Sequence, residues 1–223
     1  MKPLSKYIDH TILKATATKT DIIKLCQEAK EHDFFSVCVN SCYVSLAKAE
    51  LKNSAVKVCS VIGFPLGAMS TIAKVEETKQ ALKDGADEID MVLNIGLLKS
   101  EDFDAVYKDI DAVKKVMPNN TLKVILETCY LNDLDISKAS ALAIQAKAEF
   151  IKTSTGFGTG GATIEAITLM KNAINNGNTK IKASGGIRDT DTALQYINLG
   201  VDRIGTSNGI AIVTGQASGD KSY

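Results

Sequence analysis

The chain has 223 residues, a length near the lower end of what a single eight-stranded α/β barrel requires. Its 26 basic and 26 acidic residues balance, so no nucleic acid and no anionic membrane is expected as a partner. The sequence contains no apolar run long enough for a membrane span, and its first ten residues lack the apolar core of a signal peptide. We therefore expect a cytoplasmic protein whose partner is a small molecule.

The cysteine pattern argues against both a disulfide framework and a metal site. Five cysteines are scattered along the chain, an odd number that suits a reducing compartment. Cys38 and Cys42 are close together, but no second Cys or His pair follows at metal-ligand spacing. Buried or half-buried thiols that pack as small hydrophobic groups are the simpler interpretation, and we expect no structural metal.

Eight short segments with β-strand character recur along the chain. They start near residues 4, 35, 57, 87, 122, 149, 180 and 202, and the intervals leave room for one helix each. Ser70 or Thr71 can cap a helix that runs through Lys83, and Asp189 or Thr190 can cap another. The sequence thus predicts a sustained alternation of strands and helices.

This alternation predicts an α/β fold, a single-domain (β/α)8 TIM barrel over residues 1–214. Apolar residues on both faces of segments such as residues 56–62 are typical of a parallel sheet covered by helices. Residues 215–223 are polar and have no helical period. We expect them to form a flexible tail.

Three charged residues within the strand segments are candidates for catalysis, because a barrel of this kind has its site at the carboxyl ends of its strands. They are Asp90, Lys152 and Lys182. Taken singly, each lysine is more often a residue that reaches out to water. Two lysines at close range should lower one pKa from about 10.4 toward roughly 7 to 8. A neutral lysine forms an iminium with an aldehyde or ketone, which permits carbon–carbon bond cleavage.

Glycine-rich segments at the ends of the last three strands predict a phosphate site, because backbone N–H groups and short helix starts bind phosphate in such barrels. The candidate contacts are Gly156, Gly185, Gly186, Arg188, Gly205, Ser207 and Asn208. At the end of the first strand, Asp9 and Thr11 are candidate lining residues. His10 is either a further residue of the mouth or a structural histidine.

The segments YIDHTILKA, EIDMVLNIG, FIKTSTGFGTGGAT, IKASGGIRD and RIGTSNG together resemble the deoxyribose-phosphate aldolase family, over nearly the whole chain. The resemblance implies reversible cleavage of 2-deoxy-D-ribose 5-phosphate to D-glyceraldehyde 3-phosphate and acetaldehyde, without an external cofactor. It implies that Lys152 forms the Schiff base, that Lys182 lowers the pKa of Lys152, and that Asp90 relays protons with Lys182.

The same resemblance extends to less central positions. It implies that Cys38 lines the site and that Tyr223 takes part in proton transfer at the enamine carbon. The chain departs from the family at Asn208, where a small residue such as serine is more common, and at Phe157, where some members carry a lysine. By analogy with the family, we expect a homodimer or a homotetramer.

Two other functions fit the same pattern of residues. In a barrel isomerase or synthase, Lys182 would act as a base and Lys152 would contact the phosphate. A sugar-phosphate-binding barrel without catalysis is the non-enzymatic alternative, although Asp90 and both lysines are present. Borohydride trapping separates these functions, because only a Schiff-base enzyme becomes covalently fixed to its carbonyl substrate.

Overall fold

A computed structural model describes residues 2–215 of the chain. Eight parallel strands pair in chain order, and the last pairs back onto the first to close a barrel. The strands are β1 Ile8–Ile12, β2 Ser36–Asn40, β3 Lys57–Ile62, β4 Glu88–Val92, β5 Thr121–Ile125, β6 Phe150–Lys152, β7 Lys180–Ser184 and β8 Arg203–Thr206. The predicted (β/α)8 barrel is confirmed.

Nine α-helices lie within residues 2–215 and surround the barrel. They are α1 Lys19–Glu31, α2 Val44–Glu50, α3 Thr71–Lys83, α4 Ile95–Lys99, α5 Phe103–Lys115, α6 Asp133–Gln145, α7 Ile164–Ile174, α8 Thr190–Asn198 and α9 Gly209–Thr214. Within the described range, none of these helices has both the length and the apolar character needed to cross a membrane.

The two helix starts predicted from capping residues are confirmed. The Ser70 side chain accepts a hydrogen bond from the Ala73 amide at the start of α3, over 3.3 Å. The Asp189 carboxylate accepts from the Thr192 amide at the start of α8, over 2.8 Å. Each cap satisfies an amide that has no partner inside its own helix.

The predicted start of the first strand is wrong. Leu4–Tyr7 forms a 3-10 helix, and β1 begins only at Ile8. The Lys6 amide donates to the Pro3 carbonyl over 3.0 Å, which closes a turn where an extended chain was expected. Because the 3-10 helix repeats every three residues, Leu4 and Tyr7 share the face that packs on the core.

The barrel wall separates an apolar layer from a charged one. On β4, Ile89 and Met91 are fully buried in the main hydrophobic core, where each contributes about 1.5–3 kcal/mol. The residues between them alternate to the other face. There Glu88 and Asp90 are also buried, and they meet basic side chains from other strands across the barrel interior.

The predicted domain boundary stays a prediction. Helix α9 ends at Thr214, which is the last residue of the predicted domain. Residues 216–223 of the predicted tail lie outside the described residues, and so does Tyr223.

Candidate active site

Asp90 is the centre of a buried ionic cluster inside the barrel. Its Oδ2 atom lies 2.8 Å from the Nζ atoms of both Lys152 and Lys182. Its Oδ1 atom lies 2.7 Å from Nζ of Lys123. Strand β4 supplies the carboxylate, and the next three strands each supply one lysine. The structure therefore brings together the three residues predicted from the sequence and adds a fourth.

Attraction between opposite charges outweighs burial in this cluster. Burial alone would raise the pKa of Asp90, but Lys123, Lys152 and Lys182 hold it well below its ordinary value. Burial alone would lower the pKa of Lys123, but Asp90, Cys59 and Glu88 hold it well above its ordinary value. Asp90 is consequently a carboxylate and Lys123 an ammonium group near neutral pH.

The cluster continues through two further carboxylates. Lys182 Nζ lies 2.6 Å from Asp9 Oδ2, and Arg203 Nε donates to Asp9 Oδ1 over 2.6 Å. Glu88 Oε2 lies 2.7 Å from Lys123 Nζ and 2.9 Å from Arg203 Nη2. Asp9 therefore lines the site as predicted, at the place where β1 and β8 close the barrel.

Among residues 2–215, the ion pairs of this cluster join three carboxylates to four basic groups. The cluster is therefore electrically neutral when one of the basic groups gives up its proton. Lys152 is the most accessible lysine of the three, with 3% of its side chain exposed against 0% for Lys123 and Lys182. It also stands at the last position of β6, nearest the barrel mouth.

Lys182 has a raised pKa, whereas the sequence predicted that one of the two lysines would have a lowered one. Burial alone would lower the pKa of Lys182, but Asp9 and Asp90 raise it well above its ordinary value. Lys182 is therefore an ammonium group that keeps a positive charge beside Lys152. The two ammonium-bearing side chains share one oxygen, because the Nζ atoms of Lys182 and Lys152 both lie 2.8 Å from Asp90 Oδ2.

Sequence reasoning missed Lys123, Glu88 and Arg203 as parts of the site. A signal for Lys123 was present, because it lies within an apolar run, between Leu122 and Val124. The same signal, a charge inside a buried strand, singled out Asp90. For Arg203 the signal was weaker, because it stands at the first position of β8, where an exposed residue is equally typical.

Gly205 lies inside strand β8 and not in a loop after it. A Cβ atom at this position would come within 2.9 Å of Lys182 Cε and 3.1 Å of Ser184 Cβ. The glycine therefore leaves the space that the Lys182 side chain occupies. This role differs from the backbone phosphate contact predicted from the sequence.

The remaining phosphate candidates surround the ends of β6, β7 and β8. Gly156, Gly185 and Gly186 have φ angles of 90°, 85° and 80°, a left-handed region that glycine adopts without strain. A Cβ atom at Gly186 would meet nothing within 4 Å, so the loop is open there. Arg188 is exposed on the same loop.

Two phosphate candidates follow the last strand. Ser207 and Asn208 are half-buried between β8 and α9. The Asn208 amide donates to Thr206 Oγ1 over 2.9 Å, and its side-chain amide donates to Ser207 Oγ over 3.4 Å. Ser207 also lines a cavity of about 240 Å³ whose other walls come from the end of β1, including His10 and Thr11, and from α1, including Glu28.

The β1 residues next to Asp9 point in different directions. Thr11 is buried and donates to the Asp9 carbonyl over 2.9 Å. His10 lies on the opposite face, where Nε2 is 2.8 Å from Glu28 Oε2 and the ring packs 5.0 Å from that of Phe34. Of the two interpretations of His10, these contacts favour the structural histidine.

Cys38 is fully buried in β2, in register with Cys59 of β3. A hydrogen bond with Cys59 lowers the pKa of Cys38. The two thiols and Asp90 place potential metal ligands within 4.8 Å of one another. However, Lys123 Nζ lies 3.3 Å from Cys59 Sγ and 2.7 Å from Asp90 Oδ1, so a cation would have to displace this ammonium group.

A closed (β/α)8 barrel with a buried lysine–aspartate centre in its interior, and with Lys152 at the carboxyl end of β6, has the arrangement of a barrel enzyme of the aldolase class. Comparison with known proteins gives the family. The model of the DeoC/LacD aldolase family matches residues 4–219. The chain belongs to this family.

Individual relatives agree with the family match. The chain is 56% identical to a deoxyribose-phosphate aldolase of Finegoldia magna, over 95% of this chain and 99% of the relative. It is 55% identical to one of Treponema denticola, over 96% and 99%. Among solved structures, a deoxyribose phosphate aldolase of Aeropyrum pernix described as tetrameric superposes with a TM-score of 0.88 at 32% identity, covering 95% of this chain and 89% of that chain.

Proposed function

We propose that the chain is a class I aldolase that cleaves 2-deoxy-D-ribose 5-phosphate reversibly to D-glyceraldehyde 3-phosphate and acetaldehyde, through a Schiff base on Lys152. The family and the named relatives support the reaction. The observation that carries the assignment of Lys152 is its place in the cluster. Of the three lysines that bind Asp90 in the described part of the chain, it is the partly accessible one, and the described cluster has one basic group more than it has acids.

The cluster supplies the proton transfers that the reaction requires. Lys152 must lose a proton before its nitrogen can attack the carbonyl of the open-chain sugar, and Asp90 Oδ2 lies within hydrogen-bond distance to receive it. Lys182 contacts the same oxygen and, as a protonated group, can donate when the carbinolamine loses water.

Carbon–carbon cleavage follows from the imine. The cationic nitrogen withdraws electrons as the bond between C2 and C3 of the sugar breaks, and a base removes the proton from the C3 hydroxyl. D-Glyceraldehyde 3-phosphate leaves, and an enamine of acetaldehyde remains on Lys152. Protonation of the enamine carbon and hydrolysis release acetaldehyde and restore the lysine, and no external cofactor enters the cycle.

For the phosphate, we propose the loops after β6, β7 and β8. Backbone amides near Gly156, Gly185 and Gly186 would bind the phosphate, with Ser207 and Asn208 on the opposite side. Arg188 would add a charge-assisted contact. Gly205 contributes indirectly, because it makes room for Lys182.

The extent of the domain, the cellular location, the oligomeric state and two further site residues are also proposals. We propose a single barrel domain over residues 1–214, a cytoplasmic location, and a homodimer or homotetramer. The tetrameric description of the Aeropyrum pernix relative supports self-association. Cys38 is proposed as a lining residue, and Tyr223 as a proton-transfer residue supplied by the tail.

Mass spectrometry of the intact protein tests the central proposal. Wild type incubated with 2-deoxyribose 5-phosphate and borohydride should gain the mass of one reduced adduct, and Lys152→Ala should gain none. Lys74→Met, which alters a fully buried lysine that pairs with Asp109 outside the Asp90 cluster, is the matched control and should retain the adduct. A folded wild type without an adduct would overturn the proposal and favour the isomerase or the binding barrel.

A further inference from the structure

Glu127 is a buried acid that lies outside the Asp90 cluster, shortly after the end of β5. Its side chain is almost completely buried, and its backbone adopts the left-handed conformation, with φ 57° and ψ 62°. Residues other than glycine take this conformation at a cost in energy, and it persists where surrounding contacts impose it. Such contacts are present here.

The Glu127 carboxylate binds the loop that follows β6. Its Oε1 atom accepts a hydrogen bond from the Thr155 amide over 3.1 Å, and its Oε2 atom accepts one from the Thr155 hydroxyl. The oxygen of that hydroxyl in turn accepts from the Phe157 amide over 3.0 Å. One carboxylate therefore fixes a continuous chain of three donors, beginning just beyond Lys152 in the sequence.

Close packing reinforces these hydrogen bonds. A Cβ atom at Gly158 would lie 2.7 Å from Cys129 Sγ and 3.2 Å from Glu127 Cδ. The loop can therefore approach the carboxylate only because this position has no side chain. The position of residues 155–158 relative to Glu127 is therefore fixed at one end by the hydrogen bonds of Thr155 and at the other by the close packing of Gly158.

The fixed loop forms part of the wall of the barrel mouth. The ring of Phe157 meets that of Phe64 edge to face, with centroids 5.4 Å apart. Glu127, Thr155 and Phe157 line a small cavity of about 70 Å³ that also touches Tyr130. A shift of Thr155 would therefore move an aromatic wall of this cavity.

We propose that Glu127 is a positioning residue for the aldolase reaction. It holds residues 155–158 in the conformation that orients the substrate over Lys152, and it does so through Thr155 without itself touching the reacting atoms. This inference rests on the proposed Schiff base at Lys152. Proximity and orientation of this kind lower the barrier only while the loop is held.

Glu127→Gln keeps the size of the side chain but cannot offer two acceptor oxygens to Thr155. Thr155→Val keeps the shape of the threonine and removes the hydroxyl, whereas Thr155→Ser retains the hydroxyl. We expect Glu127→Gln and Thr155→Val each to raise KM roughly tenfold, the order of one charge-assisted hydrogen bond. Both should still form the borohydride-reduced adduct at saturating 2-deoxyribose 5-phosphate, and Thr155→Ser should restore KM to within about twofold of wild type.

The matched control is Glu149→Gln. Glu149 also binds a backbone amide, that of Leu122 over 2.8 Å, and it pairs with Lys114. It immediately precedes β6 and therefore lies at the opposite end of the barrel from Lys152. A merely structural contribution would lower the unfolding temperature in both glutamate variants, whereas only Glu127→Gln should change KM.

Amide hydrogen exchange provides a readout that does not depend on activity. In Glu127→Gln, protection of the Thr155 and Phe157 amides should fall, while that of the Thr153 amide, which binds the Lys182 carbonyl over 3.1 Å, should not change. Unchanged exchange and unchanged KM in both Glu127→Gln and Thr155→Val would overturn the inference. If Glu127→Gln fails to fold, the comparison of Thr155→Val with Thr155→Ser tests the proposal, because both variants leave Glu127 in place. A wild type without the Lys152 adduct would instead overturn the proposed function.

Discussion

Lys74 and Lys182 are both completely buried, and both pair with aspartate, yet their pKa values move in opposite directions. In the part of the chain that the structure describes, Lys74 in α3 has one carboxylate partner, Asp109 of α5, at 2.6 Å. Burial lowers the pKa of Lys74 by more than Asp109 raises it. Lys182 has two carboxylate partners, Asp9 and Asp90, and together they raise its pKa in spite of burial.

The comparison shows that the number of partners decides what a buried ion pair can do. Lys74 also donates to the Val92 carbonyl over 2.9 Å, so it ties the last residue of β4 to two outer helices. The single charge of Lys74 is balanced by the single charge of Asp109. Loss of the Lys74 proton would therefore leave the Asp109 carboxylate buried without an opposite charge. The Asp90 cluster instead has an excess basic group, so a proton can leave it without that penalty.

The largest difference between the two regions should appear in catalysis. Lys182→Leu is expected to reduce kcat by about 10²- to 10⁴-fold, the usual contribution of a proton donor in an active site. Asp9 and Asp90 retain other basic partners, so the unfolding temperature should fall less than in Lys74→Met. Steady-state kinetics and thermal unfolding measure both effects. A kcat close to wild type would remove Lys182 from the mechanism.

Lys74→Met should lose stability and keep its activity, which is the opposite of the result expected for Lys182→Leu. Asp109 would be left buried without its cation, which costs about 3–5 kcal/mol of unfolding free energy, while kcat per folded molecule should be unchanged. Urea denaturation with activity measured on the folded fraction tests this. Replacing both partners, in Lys74→Met with Asp109→Leu, should recover much of the loss. A double variant as unstable as the single one would contradict this account.

The pH dependence of imine formation should sharpen the comparison further. Asp9 and Asp90 raise the pKa of Lys182, so Lys182 keeps a positive charge near the Nζ atom of Lys152, with which it shares Asp90 Oδ2. In Lys182→Leu, the pH at which borohydride trapping reaches half its maximal rate should therefore move upward by about one unit. The same measurement on Lys74→Met should show no shift, and equal profiles for all three proteins would argue against coupling between the two lysines.

The smallest effect is expected at the phosphate end. Arg188 is exposed, so its contact with phosphate is screened by water. Arg188→Ala should raise KM for 2-deoxyribose 5-phosphate about twofold to fivefold and leave unchanged the KM for the unphosphorylated sugar. An equal change for both sugars would place Arg188 away from the phosphate.

The sequence predicted the barrel because its signals are local. Capping residues such as Ser70 and Asp189 act on the next turn of the chain, and both were identified correctly. The exception, Leu4–Tyr7, is also instructive. Leu4 and Tyr7 share one face of a 3-10 helix but would lie on opposite faces of a strand, and both arrangements are compatible with burial inside an α/β fold until their common packing on the core is seen.

The centre of the site was predictable only in part. Asp90 and the lysines Lys152 and Lys182 were found because each charge stands in a strand with apolar neighbours. Their partners depend on which strands face each other across the closed barrel. The contact between Asp9 and Arg203 spans nearly the whole chain, and no local pattern predicts it.

Gly205 also shows that the active site depends on a position without a side chain, next to the Lys182 side chain. Substitution experiments that trim side chains to alanine would find the lysines and the aspartates, but they would not detect a position whose contribution is the absence of atoms. Gly205 would be found only by adding a methyl group, which would collide with Lys182 Cε. In a protein of this kind, intolerance of enlargement is as informative about the active site as loss of a functional group.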